Sequence, residues 1–150
     1  MRPLRVYLDT SAVGGCEDVE FMEPSRALLA MAESGVLVLL VSDLLASELA
    51  GAPEAVRQHL RGIHPAHVRQ VVTGDEAVSL ANRYLAAGVV GPASANDALH
   101  VALATVAGAD VVASWNFKHI VHLDKVRGFN AVNLVEGYPP IDIRSPLELI

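Results

Sequence analysis

The sequence predicts an α/β fold, a three-layer α/β/α sandwich around a mainly parallel central sheet of four or five strands. Short β-branched and leucine-rich runs alternate with helical stretches that end at glycine, an order typical of parallel α/β proteins. Residues 36–41 are apolar throughout, as expected for a strand covered on both faces. The chain of 150 residues is 52% hydrophobic and has no linker-like segment, which favours one domain spanning residues 1–150.

The individual elements follow from local signals. The first strand is expected at residues 4–8, ending at Asp9, Thr10 and Ser11. Further strands are predicted at residues 36–41, 68–72, 111–113 and 131–134. Helices are predicted at residues 24–35, 43–50, 54–61, 75–87 and 98–107. Capping-box spacing predicts that Thr73 and Ser94 cap the last two of these helices.

Composition excludes several classes of protein. The formal net charge of -6, from 11 Lys and Arg against 17 Asp and Glu, argues against nucleic-acid binding by bulk positive charge. A local basic patch or a bridging metal ion stays compatible with that charge. The single Cys16 cannot form an internal disulfide. No apolar run is long enough for a signal peptide or a membrane span, so we expect a cytoplasmic protein without membrane contact.

Three acidic residues occupy positions that suit chemistry. Asp9 follows the first strand, and ligands of parallel α/β sheets bind beyond the carboxyl ends of strands. The alternative for Asp9 is a turn-forming or helix-capping role. Glu48 shares a helix face with Leu44 and Leu45, unless the short helix turns it to solvent. Asp97 begins the most apolar helix, where a capping role alone would also explain it.

Convergence of these carboxylates would require a cation. Three negative charges in one place repel one another unless a positive charge neutralises them. Clustered oxygen ligands suit Mg²⁺ or Mn²⁺ better than zinc. The acidic residues therefore predict a divalent-metal site at one edge of the sheet.

Four motifs in this chain resemble the ordered signature of PIN-domain nucleases, among which the VapC-like toxins of type II toxin-antitoxin systems have about this length. No single motif is specific, but all four occur in the expected order and on the expected elements. They are Tyr-Leu-Asp-Thr-Ser at 7–11, Ser-Glu-Leu at 47–49, Asn-Asp-Ala-Leu-His-Val-Ala-Leu-Ala at 96–104 and Ser-Trp-Asn-Phe at 114–117.

The resemblance implies a Mg²⁺- or Mn²⁺-dependent endoribonuclease, in which a metal-activated water attacks an RNA phosphodiester. Asp9, Glu48 and Asp97 match the first three acidic positions of the family and are the expected metal ligands. The fourth acidic position is Asn116 in this chain. Its neutral amide oxygen would still complete the catalytic site but would weaken a second metal ion. Thr10, Ser11 and Ser114 are expected to support the carboxylates.

A basic segment follows Asn116 and is a candidate for holding an RNA backbone in an acidic protein. Its expected RNA contacts are Lys118, His119, His122 and Lys125. Trp115 either stacks on a base or is buried. A second basic cluster around Arg57 and Arg61 is interpreted as a solvated helix face, with an RNA path as the alternative. His100 is expected to pack in the core rather than to bind metal.

The resemblance also implies partners: an RNA substrate, a small inhibitory antitoxin and a second copy of the chain, with residues 24–32 as the candidate dimer interface. The competing hypothesis is a PIN-like domain, weakened catalytically by Asn116, that binds RNA or protein without cutting. A haloacid-dehalogenase-type phosphatase is disfavoured because Ser11 stands where that mechanism needs Asp. A dinucleotide-binding domain is disfavoured because no G-x-G-x-x-G follows the first strand.

Overall fold

The computed structural model describes residues 2–150 and arranges them around a five-stranded sheet in which every pairing is parallel. The spatial order of the strands is β3-β2-β1-β4-β5. Their bounds are β1 Leu4–Leu8, β2 Leu37–Ser42, β3 Val68–Val71, β4 Val111–Ala113 and β5 Asp142–Arg144. The α/β fold class with a parallel sheet is confirmed.

Seven α-helices lie within the described residues and flank the sheet. They are α1 Thr10–Gly14, α2 Met22–Glu33, α3 Asp43–Leu49, α4 Glu54–Arg61, α5 Asp75–Ala86, α6 Ala95–Val106 and α7 Leu123–Val135. Successive side chains of a strand point to opposite faces, so the central strand β1 contributes to two cores. Val6 and Leu8 pack with residues of α1 to α4, whereas Tyr7 packs with residues of α5 to α7. The three-layer arrangement follows from this alternation.

The end of the chain differs from the sequence expectation. Residues 131–134, predicted as the last strand, lie within helix α7, and the last strand is β5. In that helix Asn133 is fully buried, and its side-chain oxygen accepts a hydrogen bond of 2.5 Å from Tyr84 Oη, a tertiary contact that the local sequence pattern does not reveal. In β5 only Ile143 is buried, so its sequence carries no clear alternation.

Residues 10–14 form the short helix α1, which agrees with the helix-capping alternative for Asp9. Two local capping expectations are wrong. Ser94 precedes α6 without a side-chain capping bond, because a 3₁₀ turn over Pro92–Ser94 leads into the helix and leaves Ser94 with φ -107° and ψ 26° rather than an extended backbone. The Thr73 hydroxyl donates to Asp43 at 2.6 Å instead of capping α5.

The helix expected to serve a dimer interface is α2, and its large apolar side chains point inward. Leu28 and Leu29 are 1% and 6% exposed and belong to the core beneath the sheet. They are therefore not available to a second copy of the chain. Among residues 2–150, no helix has both the length and the apolar character needed to cross a membrane.

Candidate active site

Asp9 lies at the carboxyl end of β1, beside the point where the strand order reverses. From β1 the chain passes to β2 on one side, and β4 pairs on the other side. Crevices at such switch points are where open parallel sheets bind ligands. Ser114 follows β4 and Ser42 ends β2, so polar side chains stand at the ends of all three central strands.

The Asp9 carboxylate is 3% exposed and accepts hydrogen bonds at both oxygens. Oδ1 accepts from the Ser11 hydroxyl at 2.7 Å and from the Ala12 amide at 3.0 Å, and Oδ2 accepts from the Ser114 hydroxyl at 2.5 Å. The Ala12 contact makes Asp9 the N-cap of α1. The helix-capping alternative is therefore correct, and it leaves an acceptor position on Oδ2 free for a further ligand.

The buried Asp9 carboxylate has no Lys or Arg partner among the described residues. Among residues 2–150 no Lys or Arg forms an ion pair with Asp9 or Asp97. Burial raises the pKa of Asp9, and the hydroxyls of Ser114 and Ser11 counteract only part of that effect. A cation near Oδ2 would favour the ionised carboxylate, as neighbouring positive charge does generally.

Glu48 projects from α3 and is held by two donors on the same oxygen. The Thr10 hydroxyl donates to Glu48 Oε1 at 2.6 Å, and His100 Nε2 lies 2.6 Å from that same atom. The hydrogen bond from His100, followed by that from Thr10, lowers the pKa of Glu48 despite its partial burial. Glu48 therefore faces the inside of the site as a carboxylate, and not solvent.

A chain of hydrogen bonds continues from His100 into the core. His100 Nδ1 lies 2.6 Å from Tyr7 Oη, which lies 2.9 Å from Ser42 Oγ. Burial raises the pKa of Tyr7, so the phenol keeps its proton. Both ring nitrogens have a partner: Tyr7 donates to Nδ1, and Nε2 donates to the Glu48 carboxylate. His100 is thus a core residue, as expected, but one that fixes an acidic side chain.

Asp97 lies in the first turn of α6, which returns to the start of β4 and so has its N-terminus toward the carboxyl edge of the sheet. Burial raises the pKa of Asp97, and the negative charge of Glu48 acts in the same direction. His119 and the Asn116 side chain act in the opposite direction. Asp97, Glu48 and Asn116 are therefore near enough to influence one another.

Asn116 is oriented by a local turn. Its Oδ1 accepts from the His119 amide at 2.9 Å, and its backbone N–H donates to the Ser114 hydroxyl at 2.9 Å. With Oδ1 occupied in this way, the Nδ2 group is the hydrogen-bonding group available to Asp97. Asn116 thus reaches the acidic site but contributes an amide donor in this conformation.

The donor set fits a hard divalent cation in its chemistry. Two carboxylates with burial-raised pKa values offer oxygen ligands and negative charge, which Mg²⁺ and Mn²⁺ prefer. In the part of the chain that the structure describes, no three His, Cys, Asp or Glu side chains form a group ready to hold a metal ion. Thr10 and His100 restrain Glu48 at Oε1, and the Asp9 carboxylate is restrained at both oxygens, which leaves Asp97 as the least restrained of the three carboxylates.

The two basic clusters differ in their ion pairs. All but four of the 11 Lys and Arg side chains pair with carboxylates within residues 2–150. Arg57 and Arg61 both pair with Glu54, which neutralises much of that surface. Three of the four side chains without such a pair, Lys118, Lys125 and Arg127, lie in the segment that follows Asn116. The charge available to an anionic ligand is therefore concentrated in the segment that follows Asn116.

Tyr7 and Ser42 belong to the site but were not among the predicted residues. A tyrosine in the middle of a buried strand carries a hydroxyl that needs a partner, and this was the available signal. Its partner could not be identified from sequence, since His100 is 93 residues away. His122, a predicted RNA contact, is exposed at the start of α7.

Comparison with known proteins supports the fold. No family model and no curated protein matches this chain. Among solved structures, the chain is similar to the crystal structure of VapBC2 from Rickettsia felis bound to a DNA fragment from their promoter, with a TM-score of 0.55 and 12% sequence identity. The match covers 95% of this chain and 98% of the other chain. At this identity the likeness concerns the fold alone.

Proposed function

We propose that this protein is a metal-dependent endoribonuclease that hydrolyses RNA phosphodiester bonds with Mg²⁺ or Mn²⁺. The observation that carries the proposal is the buried Asp9 carboxylate at the switch point of the sheet, which has no Lys or Arg partner among the described residues. A structural role alone would not require a negative charge there, because an asparagine also caps a helix. The PIN-like fold and the order of the four motifs support the same reaction.

In the proposed site Asp9 and Asp97 would hold the ion, and Glu48 would either join them as a ligand or orient the attacking water. The bound cation supplies positive charge that makes water a better nucleophile and neutralises the scissile phosphate. Ser11 and Ser114 fix the Asp9 carboxylate, while Thr10 and His100 fix Glu48. Preorganised carboxylates of this kind limit the rearrangement that substrate binding requires.

The segment after Asn116 is the proposed RNA-binding surface. Lys118, Lys125 and Arg127 are free to contact phosphates, and His119 lies near enough to Asp97 to lower its pKa. His122 lies on the same segment. Arg57 and Arg61 are not part of this proposed surface, because Glu54 already binds both.

The likeness to a toxin-antitoxin structure supports a biological role as the toxin of such a pair, acting in the cytoplasm. A small antitoxin protein would then bind over the acidic site and block it. A homodimer is a further part of the proposal, and it would need a surface other than the inward face of α2.

A second candidate function is a PIN-like module that binds RNA or protein without cutting it. Asn116 favours this candidate, because it places an amide beside Asp97 where the family has an acidic residue. The loss of one carboxylate would weaken metal binding most at a second ion position.

An RNA cleavage assay separates the two candidates. The purified chain is incubated with mixed RNA and Mn²⁺, with and without a chelator, alongside Asp9→Asn and the distant control Asp75→Asn on the first turn of α5. The nuclease proposal predicts cleavage by the wild type and the control, and none with chelator or Asp9→Asn. RNA binding without cleavage would support the binding module. Cleavage that survives both chelation and Asp9→Asn would contradict the metal mechanism.

A further inference from the structure

An exposed aromatic ring belongs to the same motif as Asn116. Phe117 follows Asn116 directly and is 50% exposed, whereas Trp115 on the other side of Asn116 is only 9% exposed. A large apolar ring exposed to this extent loses favourable burial, so a ligand that covers it would gain free energy. Of the two aromatic residues in this motif, Phe117 is therefore the one accessible to a ligand.

The Phe117 ring packs against Trp115, which is itself held by several neighbouring residues. The Trp115 ring stacks on Phe21 with a centroid distance of 4.2 Å and an interplanar angle of 18°, and its Nε1 donates to Ser25 Oγ at 2.8 Å. The Trp115 backbone N–H donates to Ser11 Oγ at 2.8 Å, which ties Trp115 to the residue that also binds Asp9. Phe117 then meets Trp115 edge to face, at 6.1 Å and 68°.

The surroundings indicate what kind of ligand would cover the ring. On one side Asn116 reaches Asp97, and on the other side the chain continues into the cationic segment with Lys118, Lys125 and Arg127. An aromatic face next to unpaired cations matches the alternation of base and phosphate in a nucleic acid. A purely apolar protein partner would leave those cations without a counter-charge.

We propose that Phe117 stacks on a nucleobase of the bound RNA and thereby sets which phosphate lies over the carboxylates. The inference rests on the proposed function and assigns a substrate-positioning role within that site. Stacking requires an unpaired base, because a base inside a duplex has both faces covered by its neighbours. Each base stacked on an aromatic side chain contributes about 1–3 kcal/mol to binding.

The test measures RNA affinity separately from cleavage. In an Asp9→Asn background, the dissociation constant of a short fluorescein-labelled single-stranded RNA is compared for Phe117, Phe117→Leu and Phe117→Tyr, at several salt concentrations. Phe117→Leu is expected to weaken binding about 5- to 150-fold, with an unchanged salt dependence. Phe117→Tyr, which keeps the ring, is expected to bind like the parent. Trp115, the single tryptophan, reports on occupancy because RNA should alter its fluorescence in the parent.

The outcomes are distinct. Equal RNA affinity for Phe117 and Phe117→Leu would overturn the stacking role while leaving the nuclease proposal intact. If Phe117→Leu instead lost only binding to a co-expressed antitoxin, the ring would belong to a protein interface and the inference would be wrong. Failure of every variant to bind RNA, together with failure of the wild type to cleave it, would overturn the proposed function itself. Thermal unfolding midpoints of Phe117→Leu and Phe117→Tyr check that both variants fold.

Discussion

Tyr7→Phe tests how the core controls the acidic site. The substitution removes a single oxygen atom from a side chain that is 0% exposed and keeps the ring that fills the core. That oxygen lies 2.6 Å from His100 Nδ1 and 2.9 Å from Ser42 Oγ. Its removal leaves the imidazole nitrogen without its donor, while Ser42 still accepts from the Leu45 amide at 3.0 Å.

The contacts of Tyr7 allow estimates of the loss of stability and of the loss of activity. One buried acceptor left without a partner costs about 1–3 kcal/mol of unfolding free energy. For a chain of this size that loss lowers the unfolding midpoint by about 2–12 °C. Without the Tyr7 hydroxyl, His100 loses its fixed orientation and holds Glu48 less well. Loss of a group that orients an active-site ligand lowers activity or metal affinity by about 10- to 100-fold.

Tyr84→Phe is the matched control. Tyr84 is also 0% exposed, and its hydroxyl donates to Asn133 Oδ1 at 2.5 Å, between α5 and α7. Both variants should lose similar stability in thermal unfolding followed by circular dichroism. Only Tyr7→Phe should lose RNA cleavage when the two are compared at one temperature below both midpoints. Equal cleavage by the two variants would refute the role assigned to the chain from Tyr7 to Glu48.

Three further predictions concern charge and packing. Asp9→Asn should unfold at a higher temperature than the wild type at pH 7 without metal. Burial raises the pKa of Asp9 in the folded state above its unfolded value of about 3.9. The wild type therefore loses stability as the pH rises through these two pKa values. In acid, where Asp9 is protonated in both states, the difference in midpoint between the two proteins should vanish. Joint Lys118→Ala and Lys125→Ala substitution should weaken RNA binding and reduce the slope of log affinity against log salt by about 1.4, measured by fluorescence anisotropy. Gly15→Ala should lower the unfolding midpoint, with a cost of about 1–3 kcal/mol, because the added Cβ would lie 2.6 Å from Trp115 Nε1.

Each of these predictions has a result that would contradict it. A lower midpoint for Asp9→Asn at pH 7 would mean that the ionised carboxylate stabilises the fold. An unchanged salt slope after the double lysine substitution would remove those side chains from the RNA-binding surface. An unchanged midpoint and tryptophan emission spectrum for Gly15→Ala would show that Trp115 is not tightly held.

The central strands were predictable from sequence because burial on both faces leaves a continuous apolar run. Residues 4–8 and 111–113 were placed with the observed bounds, and the strand expected at 36–41 begins one residue later than expected. The edge strand β5 was missed for a physical reason. A three-residue strand with exposed Asp142 and Arg144 is specified by its pairing with β4, which sequence alone does not reveal.

The capping predictions failed because local spacing competes with tertiary contacts. Thr73 has the correct spacing for a capping box, yet its hydroxyl binds Asp43, thirty positions earlier in the chain. At Asp9 the capping alternative was correct. Capping occupies only part of the acceptor capacity of the carboxylate, so the proposed metal-binding role is compatible with it. Burial and absent ion pairs, which indicate a ligand at Asp9, are properties of the fold and not of the motif.

The order of the motifs identified Asp9, Glu48, Asp97 and Asn116 as candidate site residues. It could not show which groups hold these side chains in position. The contacts of Glu48 with Thr10 and His100 join three separate elements, so they depend on how α1, α3 and α6 pack. Likewise, the sequence left open whether Trp115 stacks on a base or is buried. Packing of Trp115 against Phe21 makes Phe117 the exposed ring.

Mn²⁺ binding at Asp9 is the most direct test of the proposed site. Crystals soaked in Mn²⁺ and measured at a wavelength where manganese scatters anomalously would locate the ion without assuming a ligand set. We expect one strong peak about 2.1 Å from oxygens of both Asp9 and Asp97, and no such peak in Asp9→Asn crystals. Absence of a peak at saturating Mn²⁺, or a peak that persists in Asp9→Asn, would contradict a metal site built on these carboxylates.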